Sequence, residues 1–294
     1  MTNFSSLSVS GAPVMGNQAN PYGRVIFVDG NRGADGNSGK SGGRAYATMA
    51  KAFANVQSGD TIYLRGNVTE NVSTPVGVFD VSVIGVGNRP RHADAHTGNN
   101  GYSGATWKAS VTSDPLCIVR QQGWRFENIL FACPTTDAAL DFVRDTGSGD
   151  AERDSSHAIV RGCRFAGGQD GIRITGTENV FNVLVEDNMF HDQTGCSIVS
   201  SGGYAYRWMI RNNEFIANVI HIDVGFTQST IRDNNFGKFT TTSIDLTGGT
   251  DSVVTRNHLF GTYSIAGGYK PGTTCEWGGN FNSLSGGVTA SDPA

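Results

Sequence analysis

The chain has 294 residues, of which 38% are hydrophobic and only 16% are charged, and it contains 40 glycines. Its formal net charge of −4 gives no electrostatic reason to expect binding to nucleic acid or to an anionic membrane. The sequence has no apolar run of about 18 residues, so it predicts no transmembrane helix. Low charge with abundant Gly, Asn, Ser and Thr is typical of an all-β chain with many tight corners.

Residues 1–22 form a polar segment that is rich in Ser and Asn and cannot bury enough apolar surface to fold alone. Its few apolar residues include Phe4, Leu7, Val9 and Val14. The spacing Leu7-x-Val9 suits addition of a strand to a partner's sheet, so the segment is interpreted as a docking arm or, alternatively, as an unordered leader. It has neither the basic region nor the apolar core of a secretory signal peptide, so we expect synthesis without ordinary secretion.

A strand is predicted at residues 25–28, and a Gly-rich loop follows it. Asp29, Asn31 and Asp35 in this loop carry oxygens of the kind that ligate calcium. Lys40 stands where an EF-hand loop needs its bidentate acid, so a surface loop without metal is the preferred interpretation and calcium the alternative. No cofactor is otherwise expected.

One amphipathic helix is predicted over residues 46–57, with Met49, Ala52 and Phe53 on one face and Thr48 as the N-cap. The helix precedes the first repeat. Because the first coil of a solenoid exposes an apolar end, we expect this helix to cover it.

Between residues 124 and 281 the chain repeats a phrase made of a short strand, an Asn, Asp or Gly turn, and a phenylalanine. The phrases end at Phe131, Phe165, Phe190, Phe215, Phe236, Phe260 and Phe281, which are 34, 25, 25, 21, 24 and 21 residues apart. A second run of alternating apolar and polar residues lies between successive phrases, as in Ile222-Asp-Val224. Each interval has room for two or three strands but not for two packed helices, so the period predicts a parallel β-helix.

The repeated turn and phenylalanine positions are interpreted as structural columns. Asn tolerates the left-handed conformation of a sharp corner, and its amide can bond the backbone along a stack. The sequence places Asn188, Asn213 and Asn234 in one column, with Asn128 and Asn257 offset from it. The phenylalanines are predicted to stack inside the coil. The predicted division of the chain is an arm at 1–22, a β-helix at 23–284 and a flexible tail at 285–294.

The opening of the predicted β-helix resembles a known superfamily. A strand ending in Val28-Asp29, a Gly/Asp loop, Ala45-Tyr-Ala-Thr48 and Gly59-Asp-Thr-Ile-Tyr-Leu64 together resemble right-handed parallel β-helix proteins of the pectate-lyase-like superfamily. The short polar start, Phe4 to Val14, resembles that of tailed-bacteriophage virion proteins built on this helix. The same is true of two phrases, Val86-Gly-Asn-Arg-Pro-Arg-His-Ala-Asp94 and Arg120-Gln-Gln-Gly-Trp-Arg-Phe126.

The resemblance implies where chemistry would lie, because enzymes on this scaffold use carboxylates that project from adjacent coils. Asp223 and Asp245 hold equivalent places 22 residues apart, and Asp141 is predicted to share their column, with Arg173 between. Carboxylates on adjacent coils would lie near the ~5 Å separation of a retaining glycosidase. His221 and His191 are outward candidates for acid–base help. The alternative interpretation is an ordinary charged face, since the sequence lacks the lyase and polygalacturonase signature motifs.

The expected function is that of a bacteriophage virion structural protein on the particle surface, a capsid decoration or short spike docked through the arm. Its expected partners are capsid or tail proteins and further copies of itself, with a trimer implied by the resemblance, and it would be made in the host cytoplasm. The alternative is a tailspike-like depolymerase that cleaves or binds host polysaccharide. In that interpretation Tyr204, Tyr206 and Trp208 are exposed aromatic contacts for the glycan.

Overall fold

A computed structural model describes residues 23–87, 104–145, 153–202, 204–260, 268–283 and 287–289. The predicted docking arm, with Phe4, Leu7, Val9 and Val14, lies outside the described residues, as does most of the predicted tail. The described part of the chain contains no helix that could span a lipid bilayer.

The described residues are almost entirely β-structure. In chain order the strands are β1 Val25–Asp29, β2 Thr61–Thr69, β3 Val72–Ser73, β4 Ser82–Gly85, β5 Ala105–Lys108, β6 Cys117–Val119, β7 Arg125–Glu127, β8 Ile129–Ala132, β9 Ala138–Asp145, β10 Arg153–Asp154, β11 Ile159–Arg161, β12 Arg164–Ala166, β13 Asp170–Gly176, β14 Asn179–Phe181, β15 Leu184–Glu186, β16 Met189–His191, β17 Cys196–Ser201, β18 Tyr204–Tyr206, β19 Met209–Arg211, β20 Glu214–Ile216, β21 Asn218–Asp223, β22 Phe226–Thr227, β23 Thr230–Arg232, β24 Asn235–Phe236, β25 Phe239–Asp245, β26 Val253–Thr255, β27 His258–Leu259, β28 Tyr269–Lys270, β29 Glu276–Gly278, β30 Asn280–Asn282 and β31 Gly287–Thr289.

The strands stack into four faces that run along one axis. Face 1 contains β1, β2, β4, β7, β11, β15, β19, β23, β26 and β29, and face 2 contains the end of β2 followed by β5, β8, β12, β16, β20, β24, β27 and β30. Face 3 contains β3, β6, β9, β13, β17, β21, β25 and β28, and the short face 4 contains β14, β18 and β22. Strands of successive coils pair in parallel, whereas the hairpins β9–β10 and β30–β31 are antiparallel. The predicted right-handed parallel β-helix is confirmed, with the hand that parallel crossovers adopt.

The predicted phenylalanine stack is present in the core from Phe131 to Phe236. Its four successive ring pairs have centroids 5.0, 4.6, 5.0 and 4.7 Å apart and interplanar angles of 19° or less. The prediction was wrong for the last two members. Leu259 and Asn282 continue the register after Phe236, and Phe281 is 42% exposed. The inward position is the second residue after the buried turn asparagine, and in the last two phrases phenylalanine does not occupy it.

The turn asparagines form one buried hydrogen-bonded ladder between faces 1 and 2. Each backbone N–H donates to the side-chain Oδ1 of the next member at 2.9–3.0 Å, through Asn188, Asn213, Asn234, Asn257 and Asn280. Asn257 therefore lies in the column and is not offset from it, which corrects the prediction. The left-handed conformation belongs to the preceding residue in each coil, namely Asn128, Gly162, Asp187, Asn212, Asp233, Arg256 and Gly279.

The predicted capping helix is present but shorter than expected, with α1 spanning Met49–Phe53. The Thr48 side chain accepts a hydrogen bond from the Lys51 amide, as predicted. The helix does not begin at Tyr46, because that residue is extended and its amide donates to the Phe27 carbonyl. The Phe53 ring packs edge-on against Trp107 and Trp124 at 6.2 and 5.2 Å, so the helix covers the apolar end of the first coils.

Candidate functional site

The candidate site is an outward column of side chains on face 3, all of them charged except one valine. Strand register gives its order as Asp141, Arg173, Val199, Asp223, Asp245 and Lys270. Asp223 and Asp245 are direct partners on adjacent strands, about 4.8 Å apart at the backbone. Asp141 lies three coils before Asp223, so the structure does not bring it to the other two carboxylates.

Asp141 is held inside the face and is only 4% exposed. Its Oδ2 accepts from Arg173 Nη2 at 2.9 Å, and its Oδ1 accepts from Thr175 Oγ1 at 2.6 Å. The same Arg173 nitrogen lies 2.7 Å from Asp137 Oδ1. Both oxygens of Asp141 are therefore engaged, and the residue acts as one half of an ion pair that joins two coils. This placement argues against the catalytic role considered for Asp141.

Asp223 and Asp245 lie in different electrostatic environments. Burial and the neighbouring Asp245 charge raise the pKa of Asp223, and Lys270 opposes this shift. Burial would also raise the pKa of Asp245, but hydrogen bonds from Lys270 and Thr247 outweigh burial and lower it. Thr247 donates its amide to Asp245 Oδ1 at 2.9 Å, and Lys270 Nζ donates to Oδ2. At neutral pH this arrangement keeps Asp245 ionised and makes Asp223 the more basic carboxylate of the pair.

Lys270 was not anticipated from the sequence. It follows Asp245 by 25 residues, which is one coil, and Tyr269–Lys270 repeats the apolar–charged pattern of Ile244–Asp245. That spacing was the signal available in the sequence.

His221 and His191, which the sequence indicates as outward candidates, are both buried. His221 is fully buried between core rings, and its Nδ1 and Nε2 lie 3.1 and 3.0 Å from Asn218 Nδ2 and the Gly237 carbonyl. The pairing of β21 with β25 is irregular beside this stretch, where β25 has one additional residue, and the consecutive residues His221 and Ile222 are both buried. Burial lowers the pKa of His221 to about 4.

His191 is also buried, because its ring is enclosed by two charged neighbours. Its Nε2 accepts from Arg164 Nε at 2.8 Å, and its Nδ1 lies 2.8 Å from an Asp192 carboxylate oxygen. Both ring nitrogens are thus engaged within face 2. Neither histidine is placed to assist Asp223 or Asp245.

The three aromatic residues expected to contact a glycan divide between surface and core. Tyr204 is 55% exposed and Tyr206 is half-buried, but Trp208 is only 1% exposed, so the prediction was wrong for Trp208. The intervening Arg207 adopts φ 57°, and this corner ends the alternation of the strand and turns the next side chain inward. The Trp208 Nε1 donates to the Val180 carbonyl at 2.8 Å.

The loop oxygens considered for calcium are engaged by backbone amides. Asp29 Oδ1 accepts from the Asn31 and Arg32 amides at 3.0 and 3.1 Å. Asp35 Oδ1 accepts from the amides of residues 47 and 48 at 2.9 and 3.1 Å. Within the described ranges no group of three or more His, Cys, Asp or Glu residues is arranged to hold a metal ion. Asp29 therefore stabilises the turn that follows it, and Asp35 joins the loop to the residues that precede α1.

The stacked coils, the inward ladders and the outward charged column together define a right-handed parallel β-helix protein. A family model described as "Periplasmic copper-binding protein (NosD)" matches residues 99–270. That match spans more than half of the chain, and the chain belongs to this family. No curated protein matches the sequence.

Solved structures with a similar fold include a surface adhesin and two carbohydrate-active proteins. PfbA, a surface adhesin of Streptococcus pneumoniae, is 12% identical with a TM-score of 0.46, and the match covers 76% of this chain and 59% of the adhesin. The GH136 lacto-N-biosidase from Eubacterium ramulus is 10% identical with a TM-score of 0.39, covering 88% of this chain and 67% of the enzyme. A rhamnogalacturonan lyase is 12% identical with a TM-score of 0.33, and the match covers 90% of this chain and 88% of the lyase. This chain thus spans about three-fifths of the length of the adhesin.

Proposed function

We propose that this chain is a structural protein of a bacteriophage virion, displayed on the particle surface as a capsid decoration or short spike. The observation that carries the proposal is that charged side chains on the outer faces are paired between coils. Arg173 bridges Asp137 and Asp141 on face 3, and Lys270 pairs with Asp245. Such pairing ties neighbouring coils together and suits a scaffold better than an open reaction centre.

The same kind of pairing recurs on face 1. Glu186 lies between Arg161 and Arg211, with nitrogen–oxygen distances of 2.9 and 2.6 Å to its two carboxylate oxygens. The three residues belong to successive coils. Ion pairs in networks along one axis contribute more than isolated surface pairs, so the outer faces add to the rigidity of the core.

The virion assignment itself rests on the sequence resemblance at residues 4–14, 86–94 and 120–126. In this proposal residues 1–22 attach the β-helix to capsid or tail proteins, and the assembled form is a homotrimer made in the host cytoplasm.

Deletion of residues 1–20 tests the docking role. We expect the truncated β-helix to keep its far-ultraviolet circular dichroism and its unfolding midpoint but to be lost from purified particles. Full-length protein carrying Val9→Asp and Leu7→Asp is a finer variant, because it alters only the proposed strand-addition residues. Normal incorporation of the truncated protein would overturn the docking role.

A second candidate function is a glycan-cleaving enzyme, and the opposite pKa shifts of Asp223 and Asp245 favour it. Paired carboxylates whose environments drive their pKa values apart are the usual basis of acid and base roles. Asp223 would be the proton donor and Asp245 the ionised partner, and their adjacent-coil spacing is that of a retaining glycosidase. Asp223→Asn and Asp245→Asn should each reduce turnover of host polysaccharide by about 100-fold or more. Asp251→Asn, on an exposed corner, is the control, and unchanged turnover in both site variants would exclude this function.

The copper in the family's printed description does not fit the described residues. Copper favours imidazole and thiolate ligands. The ring nitrogens of His191 and His221 are already hydrogen-bonded, and burial raises the pKa of the Cys163 and Cys196 thiols to about 12. In the ranges that the structure describes, these groups are not clustered around a common point. We therefore propose no copper chemistry for this part of the chain.

A further inference from the structure

Face 4 carries two aromatic rings on successive coils. Phe181 and Tyr206 are register partners on β14 and β18, and their ring centroids are 5.2 Å apart. Both rings are half-buried. Tyr204, which is on β18 with Tyr206, is the most exposed large apolar or aromatic side chain among the described residues. The rings therefore form a surface feature that the core does not require.

The Phe181 and Tyr206 rings each have an arginine guanidinium group stacked on them. The Cζ atom of Arg144 lies 4.7 Å from the Phe181 centroid, and that of Arg207 lies 5.2 Å from the Tyr206 centroid. Arg144 is partly neutralised by Asp154 at 3.5 Å. Arg207 is exposed and donates to Gln228 Oε1 at 3.3 Å, and no carboxylate of the described residues lies within ion-pair distance of it. Arg207 thus presents a positive charge beside an aromatic surface.

On face 4, the register positions that follow the two rings are occupied by threonines, which continue the row as a series of hydroxyl groups. Parallel bridges join Thr227 to Thr250 and Thr250 to Thr273, and Thr227 follows Tyr206 in register. The row therefore extends over five coils, which is about 19 Å at the ordinary strand spacing. We call the set formed by Arg144, Phe181, Tyr204, Tyr206, Arg207, Thr227, Thr250 and Thr273 the aromatic–arginine track.

We propose that the aromatic–arginine track binds a linear anionic carbohydrate chain, a binding activity beyond the scaffold role proposed above. Aromatic rings present an apolar surface to the C–H face of a sugar ring. Hydroxyl groups at a regular spacing exchange hydrogen bonds with sugar hydroxyls. A guanidinium group pairs with a carboxylate or sulfate of the sugar through two N–H groups. A neutral glycan has no anionic group to pair with it.

The composition of the track favours a carbohydrate over a protein or a nucleic acid. A protein interface would be expected to bury an apolar centre, whereas beyond Tyr206 the row consists of threonines. The chain's net charge of −4 disfavours a polyanion as dense as nucleic acid. The chemistry therefore favours a ligand with widely spaced acid groups and many hydroxyls.

Retention of the full-length protein on immobilised uronate-, sialate- and sulfate-bearing glycans tests the proposal. Neutral glucans of similar length and poly-glutamate are the comparison ligands. We expect retention on at least one acidic glycan, weakening as salt is raised, and no retention on neutral glucan. Absence of retention on every acidic glycan, or equal retention on poly-glutamate, would overturn the proposal, the latter in favour of an acidic protein partner.

Arg207→Asn is the decisive variant, and Arg256→Asn is its matched control. Both arginines are exposed and adopt a left-handed corner conformation, with φ of 57° and 53°, which Asn tolerates. Arg256 is on another corner and pairs with Asp233. We expect Arg207→Asn and Tyr204→Ala each to weaken acidic-glycan binding about tenfold, and Arg256→Asn to leave it unchanged. Equal binding by wild type and Arg207→Asn, or equal loss in Arg256→Asn, would refute the assignment.

Discussion

Single residues at the corners of the coil determine which side chains face the core. Asp187 and Asn212 adopt φ of 57° and 55°, and the residue that follows each of them, Asn188 or Asn213, is buried in the ladder. The sequence indicates that a turn lies in each phrase. It does not show which of two adjacent polar residues takes the left-handed conformation, because Asn and Asp are acceptable at both positions.

His221 makes stability depend on pH. Its folded-state pKa of about 4 is below the ordinary value of 6.5, so between these values the unfolded chain binds more protons. The contribution of the neutral His221 to the unfolding free energy should be complete above about pH 7 and should be lost as the pH falls toward 4. The difference in unfolding free energy between pH 7.5 and pH 5 attributable to this residue is about 2 kcal/mol.

Urea unfolding of wild type and His221→Gln at both pH values measures this effect. The variant keeps side-chain hydrogen-bonding groups but does not titrate in this range. It should show a smaller acid-dependent shift in its midpoint than wild type. Identical shifts in the two proteins would contradict the buried, neutral state of His221.

Asp223 and Asp245 should respond oppositely to amide substitution. Asp223 has a raised pKa, so its charge opposes folding at neutral pH, and Asp223→Asn should raise the melting temperature at pH 7. Asp245 has a lowered pKa, and Asp245→Asn should lower the melting temperature because the pair with Lys270 is lost. Lys270 is largely exposed, so each effect should be at most about 1 kcal/mol.

Differential scanning calorimetry at pH 7 and near pH 3 checks these signs. Below about pH 3 the wild-type carboxyls are protonated in the unfolded chain, and the advantage of Asp223→Asn should disappear. Stabilisation by both substitutions at pH 7 would show that Lys270 does not hold Asp245.

At the scale of the repeated element, the asparagine ladder continues toward the C-terminus beyond the end of the phenylalanine stack. The ladder runs from Asn188 to Asn280, whereas the ring stack ends at Phe236. Each ladder amide also donates to a carbonyl of the preceding coil, as Asn213 Nδ2 does to Val185 at 2.9 Å. Buried backbone groups at this corner therefore depend on the ladder side chains for their hydrogen bonds.

Asn213→Ala should destabilise the protein strongly, although it removes only one small polar side chain. It removes the acceptor of the Asn188 amide and the donor to the Val185 carbonyl, and leaves both groups buried. Two such losses predict a decrease of about 3 kcal/mol in unfolding free energy. Asn235→Ala, an exposed asparagine in the same region, should change it by less than about 0.5 kcal/mol. Equal unfolding midpoints for the two variants in urea would contradict the role assigned to the ladder.

The fold could be predicted from the sequence because the motif of strand, turn and phenylalanine recurs at intervals close to the number of residues in one coil. The candidate site could be predicted only in part. The equivalence of Asp223 and Asp245 follows from the repeat, but His221 and Ile222 are consecutive and both buried, which departs from the strict alternation that the strand pattern predicts. The burial of Trp208 depends on the conformation of one corner residue, Arg207.

For the whole molecule, we propose that a rigid β-helix serves as a displayed structural component. A continuous core, a capping helix and paired charges on the outer faces all favour rigidity. The ligand binding that we propose for the aromatic–arginine track requires no motion of the coils.

The most direct test is the copy number of this chain in purified virus particles, measured by quantitative mass spectrometry against the major capsid protein. A capsid decoration predicts a ratio of the order of the capsid protein's own, and a short spike predicts a reproducible ratio that is much lower. Absence of the chain from the particles would contradict the account and leave the Asp223/Asp245 enzyme as the function to test.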